Sequence, residues 1–226
     1  QNRVETGEPY IMFGDTVNDK LPEFQKQLGL KVNQSNLCSE ITLPTNDDRT
    51  AVCCLSSVNL EKYDEWQHDD NFIPDLIRFL DNVLEHFIHE APDSLSKAKY
   101  SASQERSIGL GAMGFHAYLQ KNNIPFESPM AKGFNLRAFP SIEPYRANAF
   151  TQKTKTGSSL LKNKFLEEKL EEIGQNTDDV WKSIITNNGS VQHLDFLHDW
   201  EKSVFKTAVE IDQRWVVDHA ADRQDF

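Results

Sequence analysis

The clearest hydrophobic pattern in the chain is helical and runs from Phe72 to Phe87. Apolar side chains recur there at steps of three and four residues, which places them on one stripe of a helix. Asp69 and Asp70 suit the positive end of such a helix, and Pro92 marks its end. The pattern therefore predicts one long amphipathic helix over this stretch.

The second half of the chain is predicted to be mostly helical. One helix is expected from Asn163 to Gly174 and a second from Thr177 to Gly189, because Asn and Thr favour N-cap positions and Gly favours the C-terminal end. A third is expected to run from about Ser203, with apolar side chains as far as Trp215 facing inward. In the first half, Pro22 to Leu28 is predicted as a short helix.

Three apolar runs have the character of strands. The segment from Glu5 to Gly14 predicts a Gly-Glu-Pro turn followed by a short strand, and Thr50 to Ser57 is a β-branched, apolar run. The segment from Ser107 to Phe115 predicts a glycine-punctuated strand that passes into a helix ending near Lys121. Strands that alternate with helices indicate an α/β fold, and parallel strands joined by helical crossovers would fit it.

Composition and charge exclude two classes of partner. The chain has 226 residues, of which 38% are hydrophobic and 26% charged, as in ordinary globular proteins of one large or two small domains. The net charge is −11, the opposite of what binding to a phosphate backbone requires. No apolar run approaches the ~20 residues that span a bilayer, and no secretory signal is seen. We expect neither nucleic acid nor a membrane as a direct partner.

The cysteine content indicates the compartment. The three cysteines are too few, and odd in number, for a disulfide framework. Such usage favours thiol chemistry in a reducing compartment. We therefore expect a cytoplasmic protein.

One short segment, Gln34 to Thr42, carries the candidate chemistry. It sets an amide, a thiol and a carboxylate at alternate positions, namely Asn36, Cys38 and Glu40. Residues i, i+2 and i+4 of an extended segment share a face, so an extended conformation would point all three groups into one cavity. Those groups are a hydrogen-bonding amide, a redox-capable thiol and a base. For so short a pattern alone, a surface loop with an incidental cysteine is the alternative.

A second thiol site follows in the predicted strand from Thr50 to Ser57. Cys53 and Cys54 are adjacent there, and adjacent residues of a strand face opposite sides. Only one of these two thiols can therefore line the same cavity as the first segment.

Taken together, these segments resemble the active-site region of the large, catalytic subunit of ribonucleotide reductase. The resemblance rests on Ser-Asn-Leu-Cys-Ser-Glu-Ile from Ser35, then a proline, then Cys-x-Leu-Ser ending at Ser56. It extends from Arg3 to Arg223 and includes a Ser-Ile-Glu-Pro run. The motif Asn-Leu-Cys-Ser-Glu most resembles that of class I enzymes. The resemblance implies an α/β fold that is part of a ten-stranded α/β barrel, with a central finger loop and the helices outside.

The resemblance also implies a role for each candidate residue. Cys38 becomes a thiyl radical that takes the 3′ hydrogen of a ribonucleotide, Glu40 takes the 3′-hydroxyl proton while the 2′-hydroxyl leaves as water, and Asn36 binds the ribose hydroxyls. In the family motif Cys-x-Leu-Ser, the cysteine two positions before the leucine is the reducing thiol, which is Cys53 here. Cys54 then has the role of a small buried side chain that packs in the interior. The segment expected to contact substrate comprises Asn36, Leu37, Cys38, Ser39 and Glu40.

Partners follow from the same resemblance. The chain itself is expected to bind no metal or other cofactor, since the radical comes from a metal-containing small subunit. A ribonucleoside diphosphate is the expected substrate, and thioredoxin or glutaredoxin, nucleotide effectors and a second large subunit are the other expected partners. Two alternatives stay open: a non-catalytic or split-gene fragment that needs a complementary chain, and a thiol-nucleophile enzyme based on Cys38. The latter would need a histidine base, which no motif supplies.

The chain is expected to be one incomplete catalytic barrel segment, residues 1–226. It begins with Gln1 rather than Met, and the Ser/Thr-rich phosphate loop that precedes Ser-Ile-Glu-Pro in the family has no counterpart. We therefore expect a missing stretch between Phe139 and Pro140, which a Cα separation far above about 3.8 Å would reveal. Residues 141–157 are expected to form a structural loop from which Glu143 or Arg146 could approach the site.

Overall fold

The computed structural model describes residues 1–135, 143–154 and 157–222, with the side chains of 134, 135, 153 and 154 left out. The chain divides into two compact units. Unit one comprises Gln1–Ser56 and Asn71–Leu110, and unit two comprises Ser57–Asp70 and Gly111–Phe226. The predicted junction at Phe139 and Pro140 lies outside the described residues.

Twelve α-helices and four strands make up the described residues. The helices are α1 Asn2–Thr6, α2 Gly14–Asp19, α3 Glu23–Gln27, α4 Tyr63–Trp66, α5 Phe72–Glu90, α6 Ser96–Glu105, α7 Phe115–Lys121, α8 Pro129–Asn135, α9 Lys164–Glu172, α10 Asp178–Thr186, α11 Asp199–Val204 and α12 Gln213–Asp222. The strands are β1 Cys54–Asn59, β2 Ile108–Met113, β3 Ala149–Thr154 and β4 Gly157–Lys162. No helix in the described ranges is long and apolar enough to cross a membrane.

The long helix of unit one forms where the periodicity predicts it. Helix α5 buries Leu80 and Leu84 and ends just before the Ala91-Pro92 pair. Helix α6, which the pattern does not indicate, follows a single 3₁₀ turn, and Arg106 caps its C-terminal end in a left-handed conformation with φ 46°. The guanidinium of Arg106 then pairs with Asp81 on α5 at 2.6 Å. A side chain at the end of α6 therefore ties it to α5.

The core of unit two is built on α9 and α10, whose predicted boundaries are confirmed. The Asn163 side chain accepts a hydrogen bond from the backbone N–H of Phe165 at 3.1 Å, which caps α9. Thr177 caps α10 by accepting from the N–H of Val180 at 3.4 Å. The apolar faces of both helices pack into one buried cluster, which includes Leu166, Leu170, Trp181, Ile184, Val191, Leu197 and Val204.

The transition from β2 into α7 depends on one glycine of the segment from Ser107 to Phe115. Gly114 has φ 76°, and a Cβ atom there would lie 2.4 Å from Oδ1 of Asn59. A Cβ at Gly109 would meet its nearest neighbour at an ordinary 3.8 Å. The predicted strand-to-helix passage is therefore confirmed, and the position that requires glycine is the helix start.

Two predicted elements are wrong and a third is shifted: the strand expected from Thr50 to Ser57 begins at Cys54 and runs to Asn59, so Cys53 precedes it. The segment from Glu5 to Gly14 contains the end of α1 and the first residue of α2 but no strand. Its apolar side chains find no partner strand, and Phe13 is 74% exposed. The helix expected from Ser203 to Trp215 is interrupted after Val204. The Glu210 carboxylate accepts from the N–H of Thr207 at 2.7 Å and from its hydroxyl at 2.8 Å. This local bonding competes with helical hydrogen bonds.

The strands form two pairs, β1 with β2 and β3 with β4. The second pair is an antiparallel ladder in which Ala149 lies opposite Lys162 and Thr154 opposite Gly157. The sequence predicts a structural loop over residues 141–157. Residues 143–148 lie outside any helix or strand, but the prediction is wrong from Ala149 onward, where β3 begins. Mixed helices and strands give the α/β class that the pattern indicates.

Candidate active site

The candidate loop from Gln34 to Thr42, here called the finger loop, is a turn and not an extended segment. The N–H of Ser39 donates to the carbonyl of Asn36 at 3.1 Å, and Ser39 has φ 65°. The prediction that alternation would place Asn36, Cys38 and Glu40 on one face is therefore wrong in its geometry. Asn readily nucleates turns because its side chain can bond nearby backbone groups, and this preference decides the local conformation.

The Asn36 side chain closes the turn. Its Oδ1 accepts from the N–H of Ile41 at 3.0 Å, and its Nδ2 donates to Oε1 of Glu40 at 2.7 Å. The hydroxyl of Ser35 donates to the carbonyl of Ile41 at 2.8 Å and closes the base of the loop. The turn therefore brings the amide and the carboxylate together, two of the three groups that the sequence singled out.

The thiol of the finger loop lies at its tip. Cys38 and Glu40 are exposed, as is Leu37, which is 92% exposed. Ser39 is half-buried. The loop therefore presents a thiol and a carboxylate outward, while the Asn36 side chain holds the loop closed behind them.

A cavity of about 220 Å³ lies beside the finger loop within unit one. Its wall includes Asn36 and Cys53, so the structure brings the amide and the second thiol to one cavity. The other residues that line it are Gln34, Ser35, Ile41, Leu43, Thr45, Thr50 and Ala51. Cys38 and Glu40 do not belong to this described lining.

The two adjacent cysteines have different surroundings. Cys53 is exposed and lines the cavity, whereas Cys54 is half-buried and its Sγ donates to the carbonyl of Leu80 at 3.4 Å. Burial raises the pKa of the Cys54 thiol above its ordinary value, and the neighbouring Cys53 and Asp81 raise it further. Because the thiolate is the reactive form, the raised pKa makes the Cys54 thiol less reactive than an ordinary cysteine.

The cavity also contains two hydroxyl-bearing residues that sequence reasoning missed. Thr45 and Thr50 flank a tight turn in which Asn46 and Arg49 exchange backbone hydrogen bonds of 3.3 Å. The run Asn46-Asp47-Asp48 is a turn signal that could have indicated this reversal. The turn reverses the direction of the chain, so the segment before it, with Thr45, and the segment after it, with Thr50, line the same wall of the cavity.

Comparison with known proteins identifies the family of the chain. The family model of the ribonucleotide reductase barrel domain matches residues 1–140 and 135–226. The chain belongs to this ribonucleotide reductase family. The α/β class predicted from the sequence is therefore confirmed, and its domain type is the reductase barrel.

Members of the reductase family from viruses and bacteria are similar over nearly the whole chain. The ribonucleoside-diphosphate reductase large subunit of Invertebrate iridescent virus 3 is 42% identical over 276 residues, covering 98% of this chain and 44% of the viral protein. A putative large subunit of Frog virus 3 is 42% identical, covering 99% and 49%. The Actinobacillus ureae class Id ribonucleotide reductase alpha subunit superposes with a TM-score of 0.85 at 36% identity, covering 100% of this chain and 51% of that chain. The chain spans about half the length of these relatives.

The described part of this reductase chain contains no group of three or more His, Cys, Asp or Glu side chains that could hold a metal ion. Glu143 and Arg146, which the sequence suggested as further site residues, are both exposed and belong to unit two. Their approach to the finger loop stays a prediction.

Proposed function

We propose that this chain is the catalytic barrel segment of a class I ribonucleotide reductase large subunit, which reduces ribonucleoside diphosphates to 2′-deoxyribonucleoside diphosphates. One observation carries the proposal: in a chain of the reductase family, Asn36 bonds Glu40 across a turn whose tip is Cys38, beside a cavity walled by Asn36 and Cys53. Amide, carboxylate and two thiols are the groups that radical reduction of a ribose requires.

The finger loop supplies the first half of the reaction. A thiol S–H bond is weak enough to exchange its hydrogen atom with carbon reversibly, so a thiyl radical at Cys38 takes the 3′ hydrogen of the ribose. Glu40 accepts the 3′-hydroxyl proton as a general base. The hydrogen bond from Nδ2 of Asn36 to Glu40, 2.7 Å long, orients that carboxylate.

The cavity thiol supplies the second half. The 2′-hydroxyl takes up a proton and leaves as water, and a hydrogen atom from the redox thiols is delivered to C2′. Glu40 returns its proton to the 3′-oxygen, and the hydrogen atom held by Cys38 returns to C3′. Cys53 and a second thiol together give up two electrons and two protons and form a disulfide. In the family the second thiol precedes the finger loop in the chain. A bridge between the adjacent Cys53 and Cys54 would require strained geometry.

The small radical-generating subunit, thioredoxin or glutaredoxin, nucleotide effectors and a second large subunit are proposed as partners on the strength of family membership. The metal that generates the radical belongs to the small subunit in this proposal. The three free thiols fit a reducing compartment, so we place the protein in the cytoplasm.

Substitution of Glu40 tests the proposal against the thiol-nucleophile alternative. In the complete reductase with its radical-generating subunit, Glu40→Gln should lower the rate of nucleotide reduction by about 10²-fold or more, as loss of a general base does. Nucleotide binding, measured by equilibrium dialysis, should change little. Glu23→Gln, which removes an exposed carboxylate elsewhere in unit one, is the matched control. A nucleophilic Cys38 would be insensitive to Glu40→Gln, and that result would refute the proposal.

The assignment of Cys53 is tested separately by peptide mapping. After turnover without an external reductant, Cys53 should be found in a disulfide and Cys54 should be free. The packing of Cys54 against the Leu80 carbonyl and the position of Cys53 on the cavity wall support this expectation. A bridged Cys54 would contradict the assignment of Cys53 as the redox thiol.

We also propose that residues 1–226 are a segment of the barrel from which a stretch is missing between Phe139 and Pro140. Two findings support this: the family model matches in two pieces that meet at residues 135–140, and alignments to viral relatives run to 276 residues against 226 in this chain. Sequencing the gene and its transcript across this junction should reveal additional codons. A continuous reading frame that joins Phe139 directly to Pro140 in the transcript would contradict the proposal.

A further inference from the structure

The turn that links the finger loop to Cys53 contains a buried charge. Nη1 of Arg49 lies 2.8 Å from Oε1 of Glu105, and the two side chains are only 9% and 6% exposed. Among the ion pairs between described residues, this one alone has both side chains below a tenth exposed. Charges taken out of water require close pairing, so this contact fixes the position of the turn strictly.

Two further contacts dock the same turn onto α6. The guanidinium of Arg49 lies over the ring of Tyr100, 5.1 Å from its centroid, and the N–H of Thr50 donates to the carbonyl of Lys97 at 3.4 Å. Tyr100, Lys97 and Glu105 all belong to α6. One face of a single helix therefore holds the turn by charge, by ring stacking and by a backbone hydrogen bond.

The turn lies between the two arms of the candidate site. Thr45 on one side and Thr50 on the other line the cavity, and Cys53 follows three residues after Thr50. We propose that the pair Arg49–Glu105 is a positioning device that holds the Cys53 arm in register with the finger loop. Neither side chain lines the cavity beside the finger loop, so both act through the turn. This inference rests on the proposed function, because it assigns the pair a role in that reaction.

The identity of the cation matters in this arrangement. An arginine guanidinium is planar and can stack on Tyr100 while its N–H groups bond Glu105. A lysine keeps the charge but loses the planar stack and the fixed direction of the hydrogen bond. Arg49→Lys should therefore fold, since the buried carboxylate keeps a partner, and yet position the turn less strictly.

The test uses the complete reductase with its radical-generating subunit and two readouts. Hydrogen exchange followed by mass spectrometry on the peptide from Leu43 to Cys53 should show about tenfold faster exchange in Arg49→Lys and Glu105→Gln. Steady-state reduction should show kcat lowered about tenfold at an unchanged KM, because the thiol is displaced while the substrate contacts of the finger loop remain. The double charge swap Arg49→Glu with Glu105→Arg should recover part of kcat. Arg78→Gln, which breaks an exposed ion pair with Asp75 in the same unit, should change neither readout.

The outcomes separate this inference from the proposed function. Faster exchange without a change in kcat would overturn the positioning role, because the pair Arg49–Glu105 would then stabilise the turn without affecting the reaction. Unchanged exchange and unchanged kcat in both single variants would overturn it as well. An unaltered enzyme that reduces no nucleotide would refute the proposed function itself, and the exchange data would still report whether the pair holds the turn.

Discussion

Two polar clusters in this protein are built on opposite principles. The finger loop of unit one presents a thiol and a carboxylate on an exposed turn. The other cluster, here called the amide network, is buried in unit two and consists of His116, Gln120, Asn148 and Asn163. Both contain hydrogen-bonding side chains, but only the first leaves a thiol and a carboxylate open to an outside molecule.

The amide network uses its hydrogen-bonding groups internally. Nδ2 of Asn163 donates to Oε1 of Gln120 and to Oδ1 of Asn148, both at 2.8 Å. Nδ2 of Asn148 donates to the carbonyls of Gly189 at 3.0 Å and Phe205 at 2.7 Å. Three of these four bonds join residues more than 40 positions apart in the chain, so the network holds the fold of unit two together.

The comparison separates polar groups that stabilise from polar groups that react. A buried amide loses its water and must be satisfied within the protein, so removing its partner is costly. An exposed thiol or carboxylate retains water and can exchange it for a ligand. We therefore expect substitutions in the amide network to reduce stability, and substitutions in the finger loop to reduce activity at nearly constant stability.

The largest stability effect is expected at Asn148. Asn148→Leu keeps a similar volume but takes a partner from one N–H of the buried Asn163 amide and from the Phe205 carbonyl, while the Gly189 carbonyl keeps the backbone N–H of residue 148 at 3.1 Å. Each unsatisfied group costs about 1–3 kcal/mol, so the free energy of unfolding should fall by about 3–5 kcal/mol. Urea denaturation measures this. A loss below about 1 kcal/mol would show that the network is not the stabilising cluster.

Acidification should have the next largest effect, through His116. Burial lowers the pKa of His116 to about 4, and Nδ1 accepts from the N–H of Tyr145 at 2.9 Å, so the folded state requires the neutral ring. The unfolded state binds a proton more readily below about pH 6.5. The neutral His116 ring therefore makes its whole contribution to the free energy of unfolding above about pH 6.5. That contribution falls by about 3 kcal/mol as the pH drops to about 4.

Denaturation between pH 7 and pH 4 checks this prediction with two variants. His116→Asn, which offers a side-chain oxygen in place of Nδ1, should lose this share of the pH dependence. His68→Gln, which removes an exposed imidazole in the same unit, should retain it. An unchanged pH dependence in His116→Asn would contradict the assignment to His116.

The smallest stability effect is expected in the finger loop. Asn36→Ala removes the bonds to Glu40 and to the N–H of Ile41, but these groups are exposed and water replaces the lost partner. The free energy of unfolding should change by no more than about 0.5 kcal/mol in urea. A loss comparable with that of Asn148→Leu would erase the contrast between the two clusters.

The sequence predicts well those parts of the fold that local chemistry decides. The caps at Asn163 and Thr177 and the end of α5 before Pro92 depend on groups a few residues apart, so their signals lie within one segment. The same locality explains one failure. The side chain of Asn36 bends the finger loop into a turn, and spacing alone favoured an extended segment.

What the sequence could not indicate depends on distant partners. The bond between Asn163 and Gln120 joins residues 43 positions apart, and that between Arg49 and Glu105 joins residues 56 apart. No periodicity encodes such pairings. The candidate thiols could be identified from the sequence because their residue types and close spacing indicate their chemistry. The pairing of Arg49 with Glu105 is visible only in the folded structure.

The central claim, that the exposed thiol of the finger loop performs the chemistry, is tested most directly by Cys38→Ser in the complete reductase. An O–H bond is too strong to exchange its hydrogen with ribose, so nucleotide reduction should fall below detection while nucleotide binding and the urea midpoint remain. Cys54→Ser, which makes the same exchange at the thiol that bonds the Leu80 carbonyl, should retain most activity. Retention of even a few per cent of reduction by a Cys38→Ser protein free of contaminating enzyme would contradict the account.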